Sequence, residues 1–122
     1  MSQTPDAAAR AFMSAWKARR WTGMHSALQV RRRSRVDRNR LEALFGSKAL
    51  LTWSIVASTE KAPALVEVRV AVLYRIGAAR FRRNVLLNVI REDRAGMPAP
   101  PDVGPGEWGV NEISALREES VP

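Results

Sequence analysis

No cysteine occurs among the 122 residues of this chain. Its absence excludes disulfides, thiol nucleophiles and thiolate metal sites, although it assigns no compartment. Histidine occurs once, at His25. An all-protein zinc site usually needs several imidazoles or thiolates, so neither a metal nor a cofactor is expected. Long apolar runs are also missing: nothing approaches the roughly 18 residues of a membrane helix, and no transmembrane segment is expected. No basic start followed by an apolar core marks a signal peptide. As written the chain reads as cytoplasmic, or as exported if a leader preceded Met1. Glycine-rich phosphate loops, carboxylate pairs at metal-ligand spacing and serine-nucleophile elbows are absent too. Acidic residues are scarce, 12 against 20 lysines and arginines, for a net charge of +8. Such an excess favours an anionic partner: nucleic acid, an acidic membrane surface or an acidic protein.

What is present is enough to bury a core. Hydrophobic residues make up 46% of the chain and tryptophan occurs four times, which fits one folded domain over 1–122. Thr4 can cap a first helix, Pro5 suits its first position, and Asp6 favours the positive end of its dipole. Ala9, Phe12, Met13 and Trp16 then recur at helical spacing, opposite Arg10, Ser14 and Lys17. Thr22 can cap a shorter helix with Met24, Ala27 and Leu28 inward, its end blurred by Arg31, Arg32 and Arg33. Asp37 caps a third, with Leu41, Leu44 and Phe45 as its stripe and Gly46 as its stop.

From Leu50 the period becomes alternating. Leu51, Trp53, Ile55 and Ala57 point one way, Thr52 and Ser54 the other, and residues 60–63 make a turn. Val66, Val68, Val70, Val72, Tyr74 and Ile76 share one face of a second strand. Gly77 and Ala78 form a tight turn into a third strand over 80–91. Residues 95–106 hold four prolines and three glycines and must be a loop. The stretch EWGVNEI, residues 107–113, contributes the last strand from Trp108, and the tail 117–122 is expected to fray. Helices followed by an antiparallel meander give an α+β fold, three N-terminal helices on one sheet face. The other face would carry Leu65, Leu73, Leu86 and Ile90. A sheet apolar on both sides needs a second cover, so a homodimer through the open sheet face is expected.

The segments AARAFMSAWKARRWTGMHSAL, DRNRLEALFG, VEVRVAVLYRIGAARFRRNVLLNVIRED and EWGVNEI, in that order, resemble the nuclear-transport-factor-2-like superfamily. This cystatin-like cone also holds ketosteroid isomerases, scytalone dehydratases and polyketide cyclases; the chain looks closest to small bacterial members of unassigned role. The resemblance implies a curved antiparallel sheet wrapped around the long first helix, with a pocket between them. Family enzymes place aspartate, histidine or tyrosine in that pocket. Here Asp6, Asp37, Asp93 and Asp102 all fall in expected caps or loops.

Three groups of residues remain as candidates. His25 and Tyr74 would sketch an acid/base couple, against the plainer reading of a surface histidine and a core tyrosine. Trp16, Trp53 and Tyr74 would wall a pocket for a small apolar or flat ligand, although each also falls where a small core needs bulk. Arg31, Arg32, Arg33, Arg35, Arg38 and Arg40 crowd ten positions with only Asp37 among them, and guanidinium forks match phosphate geometry. No aromatic interleaves with them to stack bases, and the plainer reading is a solvated loop paired with acids of a dimer mate. Arg80, Arg82 and Arg83 form a second basic group. The expectation is a small non-catalytic binding domain. Its rivals are an isomerase, dehydratase or cyclase, or a nucleic-acid-associated accessory protein.

Overall fold

The computed structural model describes residues 2–120. Thr4 Oγ1 accepts a hydrogen bond from the Ala7 N–H, and α1 runs Pro5–Ala18 as its cap signals require. Arg19, at φ 57°, turns the chain out of it. The second helix, α2 (Trp21–Ser26), starts one position before Thr22 and has no side-chain cap. A single further turn, α3 (Val30–Arg33), lies within the arginine run, so the described residues form four α-helices where three are expected. The last, α4 (Arg38–Phe45), is capped by Asp37, which accepts from the Arg40 N–H.

Three long strands follow: β1 (Ala49–Ala62), β2 (Leu65–Ile76) and β3 (Ala79–Glu92). They pair antiparallel in sequence order, and β4 (Glu107–Asn111) adds to the far side of β3. Gly77 takes φ 59° at the first of two loop positions, the conformation a two-residue hairpin asks for there. Residues 60–62, expected in a turn, instead stay in β1, because Ala62 pairs with Leu65 and only two residues are left to reverse the chain. Three register shifts along β1 supply local bends, and the sheet curves around the helices.

The concave face is the core. Val66, Val68, Val70, Val72 and Tyr74 of β2 and Val85, Leu87 and Val89 of β3 are all buried there. They meet Phe12, Met13 and Trp16 of α1, Met24 of α2, and Leu41 and Phe45 of α4. Phe45 receives Phe12 and Trp16 edge-on, with ring centroids 5.8 and 5.2 Å away. Trp16 is 1% exposed, and its Nε1 donates to the Lys48 carbonyl at 3.0 Å. Of the inward set expected on the second strand, Ile76 falls outside, 42% exposed beside the hairpin turn, and on β1 Ala57 is exposed while Leu50, not Leu51, joins the core.

β4 stops at Asn111 instead of Ile113. The Asn111 side chain accepts from the Ile113 N–H and starts a 3-10 turn over Glu112–Leu116. The chain then returns to β3 as β5 (Glu118–Ser120), pairing with Arg83, Asn84 and Val85. The expected frayed tail is therefore a strand through Ser120, and residues 121–122 lie outside the described part. The architecture is α+β, with N-terminal helices packed on a curved, open antiparallel sheet of five strands, a cone-like arrangement. The convex face carries Leu65, Leu73, Leu86 and Ile90, each partly exposed. Among the described residues no helix is long and apolar enough to cross a membrane.

Candidate functional site

The arginine run is divided in two by the turn of α3. Gly109 of β4 passes so close beneath it that a Cβ there would lie 2.4 Å from Gln29 Cα. The Gln29 N–H donates to the Val110 carbonyl at 3.0 Å, which docks the start of α3 onto β4. From there Arg32 reaches the 3-10 turn after β4 and grips Glu112 with both ends of its fork, Nε–Oε1 2.8 Å and Nη2–Oε2 2.7 Å. That carboxylate is 1% exposed. The hydrogen bond to Glu112 raises the Arg32 pKa above its ordinary value; burial opposes this and the Glu112 charge adds to it. Arg33 pairs with Glu107 and also donates from Nε to the Leu28 carbonyl at 3.1 Å. Glu92, 2% exposed, accepts from Gln29 Nε2 at 3.1 Å and from the Arg31 N–H at 3.3 Å.

Arg32 and Arg33 are thus structural, and the acids that hold them belong to the same chain, not to a dimer mate. Arg31, Arg35, Arg38 and Arg40 are exposed. Among the described residues none of the four has a carboxylate within ion-pair range. In the other basic group Arg83 approaches Glu118 at 3.8 Å, while Arg80 and Arg82 stand exposed.

Beside these arginines lies a groove of about 530 Å³, lined by Arg19, Arg20 and Trp21 on one side and by Arg38, Asn39 and Glu42 on the other. The left-handed turn at Arg19 and the packing of α2 against α4 create it. The Arg19 guanidinium carbon lies 5.4 Å from the Trp21 ring centroid, and its Nη1 donates to the Gly46 carbonyl at 2.9 Å. An aromatic therefore does accompany the arginines, brought in from the α1–α2 junction. The run Arg19-Arg20-Trp21 was the available signal.

Tyr74 and His25 are tied to different partners. Tyr74 donates to Glu118, 2.9 Å from Oε1, and its ring stacks on Phe81 with centroids 5.3 Å apart. Burial first, and then the hydrogen bond and charge of Glu118, push its pKa up to about 12, partly offset by Arg83. His25 Nε2 donates to the Arg33 carbonyl at 2.9 Å and steadies α3. No hydrogen bond joins the two. The space expected to be a pocket between α1 and the sheet is filled by Phe12, Met13 and Trp16. Trp53 packs, partly buried, against the edge of that core.

A second hollow of about 660 Å³ lies under the 93–106 loop, with Glu92, Arg94 and Glu107 on its walls. Arg91 closes that loop by donating to the carbonyls of Ala99, Pro100 and Gly104. Asp93 accepts from the N–H groups of Ala95 and Met97. Among the described residues no three acidic or histidine side chains converge as metal ligands would. Compared with protein-family models, with curated proteins and with solved structures, the chain matches none.

Proposed function

We propose that this chain is a non-catalytic binding domain that holds a polyanion, with nucleic acid the fitting class, on its helical side. The observation that carries the reading is the division of the arginine run. Glu92, Glu107 and Glu112 are all committed to holding the α3 segment, which leaves Arg31, Arg35, Arg38 and Arg40 as uncompensated exposed charge. Arg19 and Arg20 extend that field along the groove. The acid/base reading has little support, because the Tyr74 hydroxyl is already donated to Glu118 and His25 is bonded to a backbone carbonyl. The order of elements and the curved sheet support kinship with the nuclear-transport-factor-2-like cones.

Column retention tests the reading. Replacing Arg35, Arg38 and Arg40 with glutamine should move elution from immobilised heparin or single-stranded DNA to clearly lower salt, without changing the unfolding midpoint. Elution at unchanged salt would reject it. A second proposal rests on the convex face, where Leu65, Leu73, Leu86 and Ile90 support symmetric pairing of two sheets. Helices and groove lie on the concave side, so such pairing leaves both grooves open. Light scattering at tens of micromolar should give twice the chain mass; a monomer at that concentration would contradict it.

A further inference from the structure

We propose that the groove between Arg19–Trp21 and α4 seats an unstacked base of a single-stranded nucleic acid, with the flanking phosphates on the arginines around it. This rests on the polyanion reading and narrows it from charge to strandedness. Three features of the groove carry it. The first is a stacking platform: the partly exposed Trp21 ring has the Arg19 guanidinium over it, and that guanidinium is fixed in place by the Gly46 carbonyl. Indole rings and guanidinium planes are both surfaces on which splayed bases stack, whatever their sequence.

The second is the polarity of the facing wall. Asn39 offers an amide that both donates and accepts, and Glu42 offers a carboxylate that only accepts. A carboxylate repels a bare phosphate but accepts readily from the amino and imino groups of a base edge. The groove centre therefore suits a base, and Arg20 and Arg38 at its sides suit the phosphates. The third is size. About 530 Å³ is room for a nucleoside, far more than one phosphate needs. A duplex keeps its bases inside the stack and cannot offer one without unpairing. An anionic bilayer fits less well, because the large exposed apolar side chains among the described residues are Val56, Ile76, Met97, Val103 and Ile113, none of them in α1 to α4. A surface that binds lipid needs apolar anchors beside its cations.

The test measures fluorescence anisotropy with a labelled single strand of mixed sequence, as DNA and as RNA, and with the same DNA as a duplex. Vesicles containing phosphatidylserine are assayed in parallel at the same salt. The full chain should bind either single strand roughly tenfold or more tightly than the duplex. Trp21→Leu keeps an apolar group against the core, and Asn39→Ala alters an exposed position; neither changes charge. Each, confirmed folded by circular dichroism, should cost several-fold to tenfold on the single strand and less than twofold on the duplex. Equal affinity for both forms, unmoved by either variant, would overturn the seated base and leave the charge reading standing. Binding to vesicles with no oligonucleotide bound would overturn both.

Discussion

At Glu112 a carboxylate has been taken out of water, 1% exposed, and the fork of Arg32 is what compensates it. Removing one member of such a pair strands the other. Arg32→Met should therefore cost about 3 kcal/mol, the low end for a broken buried pair because Arg32 itself is partly exposed. The double replacement Arg32→Met with Glu112→Leu should recover much of that loss. Urea midpoints for the two variants check both statements. Tyr74 gives a second prediction at this scale. Its phenol titrates near 12 in the folded chain against an ordinary value of 10.0, so the unfolded chain gives up that proton first. Its contribution to stability is whole below pH 10.0 and is lost as pH rises towards about 12. Tyr74 is the only tyrosine, so phenolate absorbance reads it alone, and Tyr74→Phe should flatten that part of the alkaline decline. What could be read of these residues from the sequence was limited by distance along the chain. Arg32 and Glu112 stand 80 positions apart, and no local pattern announces which arginine will find which acid.

Among the elements, the strands were the most legible, because alternation of valine and charge over β2 admits one inward face. The caps at Thr4 and Asp37 were legible for the same reason: one side chain satisfies one orphan N–H a few residues on. Two segments were not. The tail reads as charged and frayed, but the N-terminal half of β3 has a free edge past β4, and Glu118 gains Tyr74, Lys48 and Arg83 by pairing there. The strand expected to reach Ile113 is cut short by the Asn111 side chain, whose bond to the Ile113 N–H competes with the ladder. Two glycines separate conformational from spatial constraint. Gly77, at φ 59° with open space around it, should lose about 1 kcal/mol as alanine. Gly109→Ala drives a methyl into the Gln29 backbone and should cost about 3 kcal/mol, with the loss of the α3 docking. Equal thermal shifts for the two would mean that β4 does not press on α3 as described.

Across the whole molecule, charge is sorted by what it touches. The acids that meet the arginine run, Glu92 and Glu107 on the sheet and Glu112 in the 3-10 turn, hold α3 in place, while Arg31, Arg35, Arg38 and Arg40 of that run stand exposed on the helical side and Arg80 and Arg82 on β3. The excess of +8 favours an anionic partner on general grounds but says nothing of where one would bind. The groove was hidden because Trp21 and Arg38 come from different helices, and only the packing of α2 on α4 sets them side by side. The inner pocket that the resemblance implies meets a core filled by Phe12, Trp16 and Phe45, and the two members of the candidate acid/base pair are bonded to separate partners.

The most direct measurement is the salt dependence of single-strand binding, as the slope of log K against log salt concentration. Four to six phosphate contacts on a single strand predict a slope of about −3 to −4, made shallower by about 2 when Arg35, Arg38 and Arg40 become glutamine. A slope near zero, or one that the triple replacement leaves unchanged, would contradict the account.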